Sequence, residues 1–228
     1  MSRIHGRFPL VAFALWTFLG LTACGQGDPP PTPRRTAVHA GTIVAVGDSL
    51  TAGLGVAEEF AYPALLEKKL AAAGFPYRVI NAGVSGETSS GTLSRTSWIL
   101  RMKPDIVILE TGANDGLRGI DPSVVRKNIE DILQLLQEAH VTVILAGMEM
   151  VRSLGPEYTD AFRRVYPEAS KRFRVPLIPF FLAGVAGRSK LNQADGIHPT
   201  AEGYKIVVET VYPYVVEAIR EREKARTP

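Results

Sequence analysis

Short apolar segments alternate along the chain with longer segments whose apolar residues recur at helical spacing. Leu65, Leu66 and Leu70 share one face of such a longer segment, and Gly74 marks its end. The pattern predicts strands at Thr42–Val46, Tyr77–Ala82, Ile106–Leu109, Val141–Ala146 and Val175–Ile178. It predicts helices at Tyr62–Ala73, Thr88–Met102, Ser123–Ala139, Tyr158–Arg172 and from Ala201 to about Glu221.

The predicted strands are mostly apolar along their whole length instead of at every second position. Such strands are buried on both faces, as in a parallel sheet that helices cover from either side. The alternation of strands and helices therefore predicts an α/β protein with three layers. The 228 residues, of which 46% are hydrophobic and 21% charged, are enough for one domain with a substantial core. In folds of this kind, ligands bind beyond the carboxyl ends of the strands.

Residues 1–23 have the layout of a secretory signal. Arg3 and Arg7 precede an uncharged apolar run from Phe8 to Leu21, and small residues follow it. The run is short for a membrane span, although an uncleaved N-terminal anchor remains an alternative. Removal of this segment lowers the formal net charge from +3 to +1, because it contains two arginines and no acid. A nearly neutral protein gives no reason to expect nucleic acid as a partner.

Cys24 follows this segment and is the only cysteine, which excludes an internal disulfide. The sequence LTAC, which ends at Cys24, resembles the lipobox of bacterial lipoproteins. The resemblance implies a lipidated cysteine and a periplasm-facing membrane anchor, and Gly25 favours the outer membrane. A plain signal peptide with an incidental cysteine is the alternative. Three consecutive prolines indicate an extended tether over residues 24–40, before a folded domain at residues 41–228.

Polar and glycine residues cluster where the predicted strands end. Ser49 follows the first strand in GDSL, Gly83 follows the second in NAGVSGET, and Asn114 follows the third in GAND. Asp195 and His198 stand in DGIHP, just before the last predicted helix. Because the carboxyl ends of parallel strands share one edge of a sheet, we expect these five residues to meet there.

These residue types suit acyl transfer by a serine, which needs a nucleophile, a base and a group that orients the base. Ser49 is the candidate nucleophile, His198 the base and Asp195 the orienting acid. Candidate donors to the oxyanion are the backbone N–H of Ser49, the N–H of Gly83 and the side chain of Asn114. Gly83 has no Cβ, so we expect its backbone to approach a ligand closely. In the simpler interpretation, GDSL only ends a strand and caps the next helix.

Other residues have simpler expected roles. We expect Asp48 to cap the turn after the first strand, and Asp115 to hold its own loop by local hydrogen bonds. The chain has only four histidines, whereas a metallophosphoesterase would need several histidines and carboxylates around its metals. No Walker pattern and no complete G-x-G-x-x-G occur, so the sequence predicts neither a metal nor a nucleotide site.

Taken together, the motifs resemble those of the GDSL, or SGNH, hydrolase superfamily, and the resemblance extends from Thr42 to the last helix. NAGVSGETSSG and GANDGLRG are especially similar to its periplasmic thioesterase, lysophospholipase and arylesterase branch. The resemblance implies a flavodoxin-like α/β/α fold with a five-stranded parallel sheet and no cofactor. It also implies a Ser-His-Asp triad and an oxyanion hole at the residues proposed above. Proteins of this branch are usually soluble in the periplasm, whereas this chain carries a lipobox-like cysteine.

Apolar side chains in two site-forming loops are expected to line a cleft for an acyl chain, although core packing explains each of them alone. These residues are Met148, Met150, Phe180, Phe181 and Leu182. The sequence thus predicts a serine esterase that takes ester or thioester substrates. A carbohydrate O-deacetylase with the same triad and a lipoprotein that only binds ligands are the alternatives.

Overall fold

Five parallel strands form one sheet within residues 39–150 and 152–226, which the computed structural model describes. They are β1 (Gly41–Gly47), β2 (Tyr77–Gly83), β3 (Ile106–Glu110), β4 (Thr142–Ala146) and β5 (Leu177–Ile178). Their order in the sheet is β2-β1-β3-β4-β5. The predicted signal segment, Cys24 and most of the predicted tether lie outside the described residues.

Helices cover both faces of this sheet. They are α1 (Ser49–Ala52), α2 (Tyr62–Ala72), α3 (Ser89–Ser94), α4 (Thr96–Arg101), α5 (Ala113–Leu117), α6 (Pro122–Glu138), α7 (Pro156–Phe173) and α8 (Ala201–Arg226). Helices α2 and α8 pack together on one face, while α6 packs against α7, α3 and α4 on the other. Short 3-10 turns lie at Glu58–Phe60 and Arg152–Leu154. Among the described residues, every helix is too short or too polar to cross a membrane.

The central strands β1 and β3 explain the continuous apolar segments in the sequence. The side chains of residues 43–46 and 106–109 have no solvent-exposed surface. Full burial of an aliphatic side chain stabilises a fold by about 1.5–3 kcal/mol relative to leaving it exposed. These strands therefore hold the middle of the sheet rigidly, and the predicted three-layer α/β/α architecture is confirmed.

The strand order creates a crevice beside β1. The chain passes from β1 to β2 on one side and then crosses to β3 on the other. Connections therefore leave in opposite directions at the boundary between β1 and β3, which is the switch point of the flavodoxin-like order 2-1-3-4-5. Open α/β sheets bind ligands at such a point. Ser49 comes two residues after β1 ends and Asn114 four residues after β3 ends, so both candidates flank it.

Two predicted elements differ from the observed ones. The predicted helix at Thr88–Met102 is split into α3 and α4 at Arg95, whose side chain turns inward to Glu87 and to the carbonyl of Ala82. The fifth strand covers only Leu177–Ile178, because Pro176 has no N–H to donate to the ladder. The other predicted bounds agree within two residues, except that α8 continues five residues beyond the predicted end.

Candidate active site

Ser49, His198 and Asp195 form one hydrogen-bonded chain. Ser49 Oγ lies 2.8 Å from His198 Nε2, and His198 Nδ1 lies 2.7 Å from Asp195 Oδ2. An ionised carboxylate only accepts hydrogen bonds, so Nδ1 carries the proton and Nε2 accepts from the serine hydroxyl. This tautomer lets the imidazole take the serine proton. The fold thus brings the three candidates together although 149 positions separate Ser49 from His198.

Asp195 is exposed, yet its own loop holds it in place. Its Oδ1 accepts hydrogen bonds from the backbone N–H groups of Ile197, at 2.9 Å, and His198, at 3.0 Å. The hydrogen bond to the His198 side chain, followed by the two backbone bonds, lowers the pKa of Asp195 to about 2. The carboxyl is therefore ionised at neutral pH and orients the imidazole through Oδ2.

Ser49 begins a helix of a single turn, α1, directly after the turn that follows β1. Asp48 caps this helix, because its Oδ1 accepts the backbone N–H of Leu50 at 2.9 Å. Gly53 ends the helix in the left-handed conformation, at φ 80°, and donates its N–H to the carbonyl of Ser49. The predicted capping role of Asp48 is confirmed. Ser49 is 8% exposed, so only its outer edge reaches the cleft.

The candidate oxyanion donors lie at the same edge of the sheet, and two of them are held by side chains. Asn114 Nδ2 donates to Asp48 Oδ2 at 3.0 Å. This bond uses one of the two amide hydrogens and fixes the plane of the amide group, so the direction of the second hydrogen is also fixed.

The N–H of Gly83 donates its one hydrogen to Asn81 Oδ1 at 3.0 Å, and Gly83 does not line the cleft at Ser49, whereas Gly86 does. The structure therefore differs from the predicted oxyanion role of Gly83. A Cβ on Gly83 would lie 2.2 Å from the backbone nitrogen of Ala52. Glycine is therefore needed here so that α1 can pack on β2. This differs from the expectation that it lets the backbone approach a ligand.

Asp115 joins the two loops that carry Gly83 and Asn114. Its carboxylate accepts hydrogen bonds from the N–H and the hydroxyl of Ser89, at 2.7 and 2.6 Å, and the three groups are buried. Asn128 on α6 donates to the same hydroxyl at 2.9 Å. The prediction that Asp115 makes local hydrogen bonds is therefore wrong, since its partner lies 26 positions away. This network ties α5 to the start of α3.

Glu110, the last residue of β3, is a fully buried acid that is not among the residues predicted from the sequence. Burial, and then the negative charge of Asp48, raise the pKa of Glu110 well above its usual value. Burial also raises the pKa of Asp48. The sequence does contain a signal for Glu110, because it is one acid at the end of the apolar strand IVILE. An unpaired charge at such a buried position would be costly, so a special role for this acid is indicated. Among the described residues, no three potential metal ligands are grouped together.

The cleft at Ser49 has a volume of about 220 Å³ and adjoins an apolar cavity of about 230 Å³. Four of the five residues predicted for the acyl pocket line that cavity, namely Met148, Met150, Phe180 and Leu182. Phe181 differs from the prediction, because it is fully buried in the core and packs edge-on against Tyr62 at a ring distance of 5.2 Å. Leu54 and Ile197, which were not predicted, line the cleft and remain more than 40% exposed.

A serine, a histidine and an aspartate in this geometry, at the switch point of a parallel sheet, define a serine hydrolase by their chemistry. The sequence model of the GDSL-like Lipase/Acylhydrolase family matches residues 45–206, which is more than half of the chain. The chain belongs to this family, which confirms the resemblance of its motifs.

Several relatives span most of the same region. Esterase TesA of Pseudomonas aeruginosa is 41% identical over 173 residues, which cover 75% of this chain and 86% of that protein. Thioesterase 1/protease 1/lysophospholipase L1 of Escherichia coli K12 is 36% identical over 174 residues, covering 76% of this chain and 82% of the relative. A crystal structure of TesA is similar with a TM-score of 0.75 at 40% identity, covering 78% of this chain and 99% of that one.

Proposed function

We propose that the protein is a serine esterase that hydrolyses carboxylic esters and thioesters through an acyl-enzyme. The observation that carries this proposal is the continuous hydrogen-bonded chain from Ser49 through His198 to Asp195, at the edge of an open cleft. Membership of the GDSL-like lipase/acylhydrolase family supports the same class of reaction. So do relatives whose names are esterase and thioesterase.

Acylation begins when Ser49 Oγ attacks the carbonyl carbon of the substrate and its proton passes to His198 Nε2. Asp195 stabilises the imidazolium that forms. The charge that develops on the carbonyl oxygen is met by the backbone N–H of Ser49 and by the side chain of Asn114. The intermediate then expels the alcohol or thiol, which takes the proton from His198, and the acyl group stays on Ser49.

Deacylation repeats these steps with water as the nucleophile. His198 removes a proton from the water molecule as its oxygen attacks the acyl carbon, and the same donors meet the charge. The intermediate releases the carboxylic acid, and Ser49 recovers its proton from His198. The apolar cavity that Met148, Leu182 and their neighbours line gives the acyl chain a place beside the nucleophile.

Labelling of the full chain in detergent with a fluorophosphonate tests the nucleophile. We expect mass spectrometry to find the adduct on Ser49, and Ser49→Ala to lose labelling and about 10⁶-fold in kcat. An adduct on another serine would contradict the proposal. Rates with p-nitrophenyl esters from acetate to palmitate, and with an acyl thioester, define the substrate class. Hydrolysis of acetyl esters alone would indicate a carbohydrate O-deacetylase instead.

We also propose that a lipid on Cys24 holds the enzyme at a membrane of the bacterial cell envelope. The support is the sequence, in which a charged and then apolar leader ends in LTAC. Cys24→Ser should release the protein from the membrane fraction or block its processing. A wild-type protein in the soluble periplasmic fraction would contradict the anchor without affecting the proposed chemistry.

A further inference from the structure

Glu110 lies directly beneath the turn that carries the nucleophile. Its Oε2 accepts the backbone N–H of Asp48 at 3.2 Å and the hydroxyl of Thr51 at 3.0 Å. These donors come from the residue before Ser49 and from the second residue after it. One oxygen of a fully buried side chain therefore holds the turn on both sides of the candidate nucleophile.

Gly47 shows how tightly the backbone is fitted over this carboxyl. A Cβ at Gly47 would lie 2.4 Å from Glu110 Oε2 and 2.2 Å from Thr51 Oγ1, and real Cβ atoms do not approach so closely. The G of GDSL is thus needed because the chain crosses the carboxyl at the end of β1. Asp48 in turn holds the amide of Asn114, so the contacts of Glu110 continue to a candidate oxyanion donor.

The surroundings of Glu110 favour its neutral form. Among the residues that the structure describes, the ionisable groups that interact with it are the carboxyl of Asp48 and the phenols of Tyr62 on α2, Tyr166 on α7 and Tyr204 on α8. None of these groups is a cation, and burial together with Asp48 raises the pKa of Glu110. A neutral carboxyl still offers one carbonyl oxygen to the two donors. Glutamine matches this neutral carboxyl in shape, in its lack of charge and in its carbonyl acceptor.

We propose that Glu110 is a positioning residue, whose carbonyl oxygen holds the Asp48–Thr51 turn in the shape that presents Ser49 Oγ to His198 and its backbone N–H to the substrate. This inference rests on the proposed function, because it assigns Ser49 as the nucleophile. The same turn supplies the attacking atom and an oxyanion donor, so a small displacement affects both. A misplacement of about 1 Å can cost on the order of 10² in rate.

Two variants of Glu110 separate positioning from simple stability. Glu110→Gln keeps the acceptor, and we expect its kcat and its fluorophosphonate labelling rate to stay within about threefold of wild type. Glu110→Ala removes the acceptor and should lose about 10²-fold in both, with KM little changed. Ile144→Ala is the control, because Ile144 is fully buried in β4, away from the turn. It should lower Tm with kcat preserved.

The outcomes distinguish a failure of the positioning role of Glu110 from a failure of the proposed function. Wild-type kcat and labelling in folded Glu110→Ala, with a lowered Tm, would overturn the positioning role and leave the proposed function intact. A 10²-fold loss in Glu110→Gln would also overturn it. If wild type itself does not label at Ser49, the proposed function fails and this inference with it. Should Glu110→Ala not fold, Thr51→Val decides: a loss of about tenfold in labelling supports the role, and an unchanged rate overturns it.

Discussion

Replacement of Asp195 by asparagine tests whether this carboxylate acts by setting the tautomer of His198. Asp195 Oδ1 accepts two backbone N–H groups, so the asparagine oxygen must take that position to keep them bonded. The asparagine NH₂ group then faces His198 Nδ1 in place of Oδ2. It is a donor, and it favours the tautomer in which Nδ1 accepts and Nε2 carries the hydrogen. That histidine cannot take a proton from Ser49.

The size of the effect follows from the exposure of the carboxyl. In a buried Ser-His-Asp triad, the same replacement lowers kcat by about 10⁴. The Asp195 side chain is 45% exposed, so solvent screens part of its interaction with the imidazolium. We therefore expect Asp195→Asn to lose about 10³-fold in kcat. Asp195→Ala should lose only about 10²-fold, because water can accept from Nδ1 and restore the productive tautomer.

Initial rates with a p-nitrophenyl ester give kcat and KM for both variants, and circular dichroism confirms that each is folded. The informative quantity is the order of the two variants: asparagine, the closer mimic in shape, should be the worse catalyst. If alanine is equally or more damaging, the contribution of Asp195 is its charge or its support of the loop, and the reasoning from the tautomer is wrong. A loss below tenfold in both would remove Asp195 from the triad.

Four further outcomes are expected. Because the pKa of Asp195 is about 2 in the folded protein and 3.8 ordinarily, its stabilising effect is complete above about pH 4 and fades toward pH 2. The Tm of Asp195→Asn should thus vary less than that of wild type over this range, and parallel Tm curves would contradict it. Asn114→Ala should lose about 10²–10³-fold in kcat with little change in KM, whereas a lower Tm with normal turnover indicates a structural role. Met148→Trp should lower the ratio of decanoate to acetate hydrolysis by about tenfold, and an unchanged ratio would place the acyl chain elsewhere. Arg95→Ala removes the cation that pairs with the nearly buried Glu87 carboxylate, so denaturant unfolding should show a loss of about 3–5 kcal/mol; a loss below 1 kcal/mol would mean that water replaces the pair.

The sheet and the triad could be predicted because their signals are local. A buried parallel strand is apolar throughout, and the residues after each strand share one edge of the sheet whatever the loops do. Ser49 could therefore be placed at that edge directly, whereas the expectation for His198 rests on the DGIHP motif just before the last helix. The same rule places Asn114 at that edge, since it follows β3.

The misplaced details all depend on contacts between distant segments. Phe180 and Phe181 are adjacent and equally hydrophobic, so the sequence does not tell them apart. The contact between the rings of Tyr62 and Phe181 shows that Phe181 faces the core. Asp115 could not be matched to Ser89 from sequence, because the pairing depends on how α3 docks beside α5. Arg95 interrupts a helix that the sequence around it favours. The reason is that its guanidinium forms an ion pair with the carboxylate of Glu87 in a nearly buried position. Tertiary contacts override local preference at these sites.

The two halves of the site are built differently, and this predicts how they respond to mutation. Ser49 is almost buried on a turn that Asp48, Thr51 and Glu110 hold against the rigid centre of the sheet. Asp195 and His198 lie on a partly exposed loop that depends on its own short-range hydrogen bonds. Changes beneath the nucleophile remove buried contacts and should lower activity and stability together. Changes in the loop remove solvent-accessible contacts, so at neutral pH they should lower Tm less than changes beneath the nucleophile do.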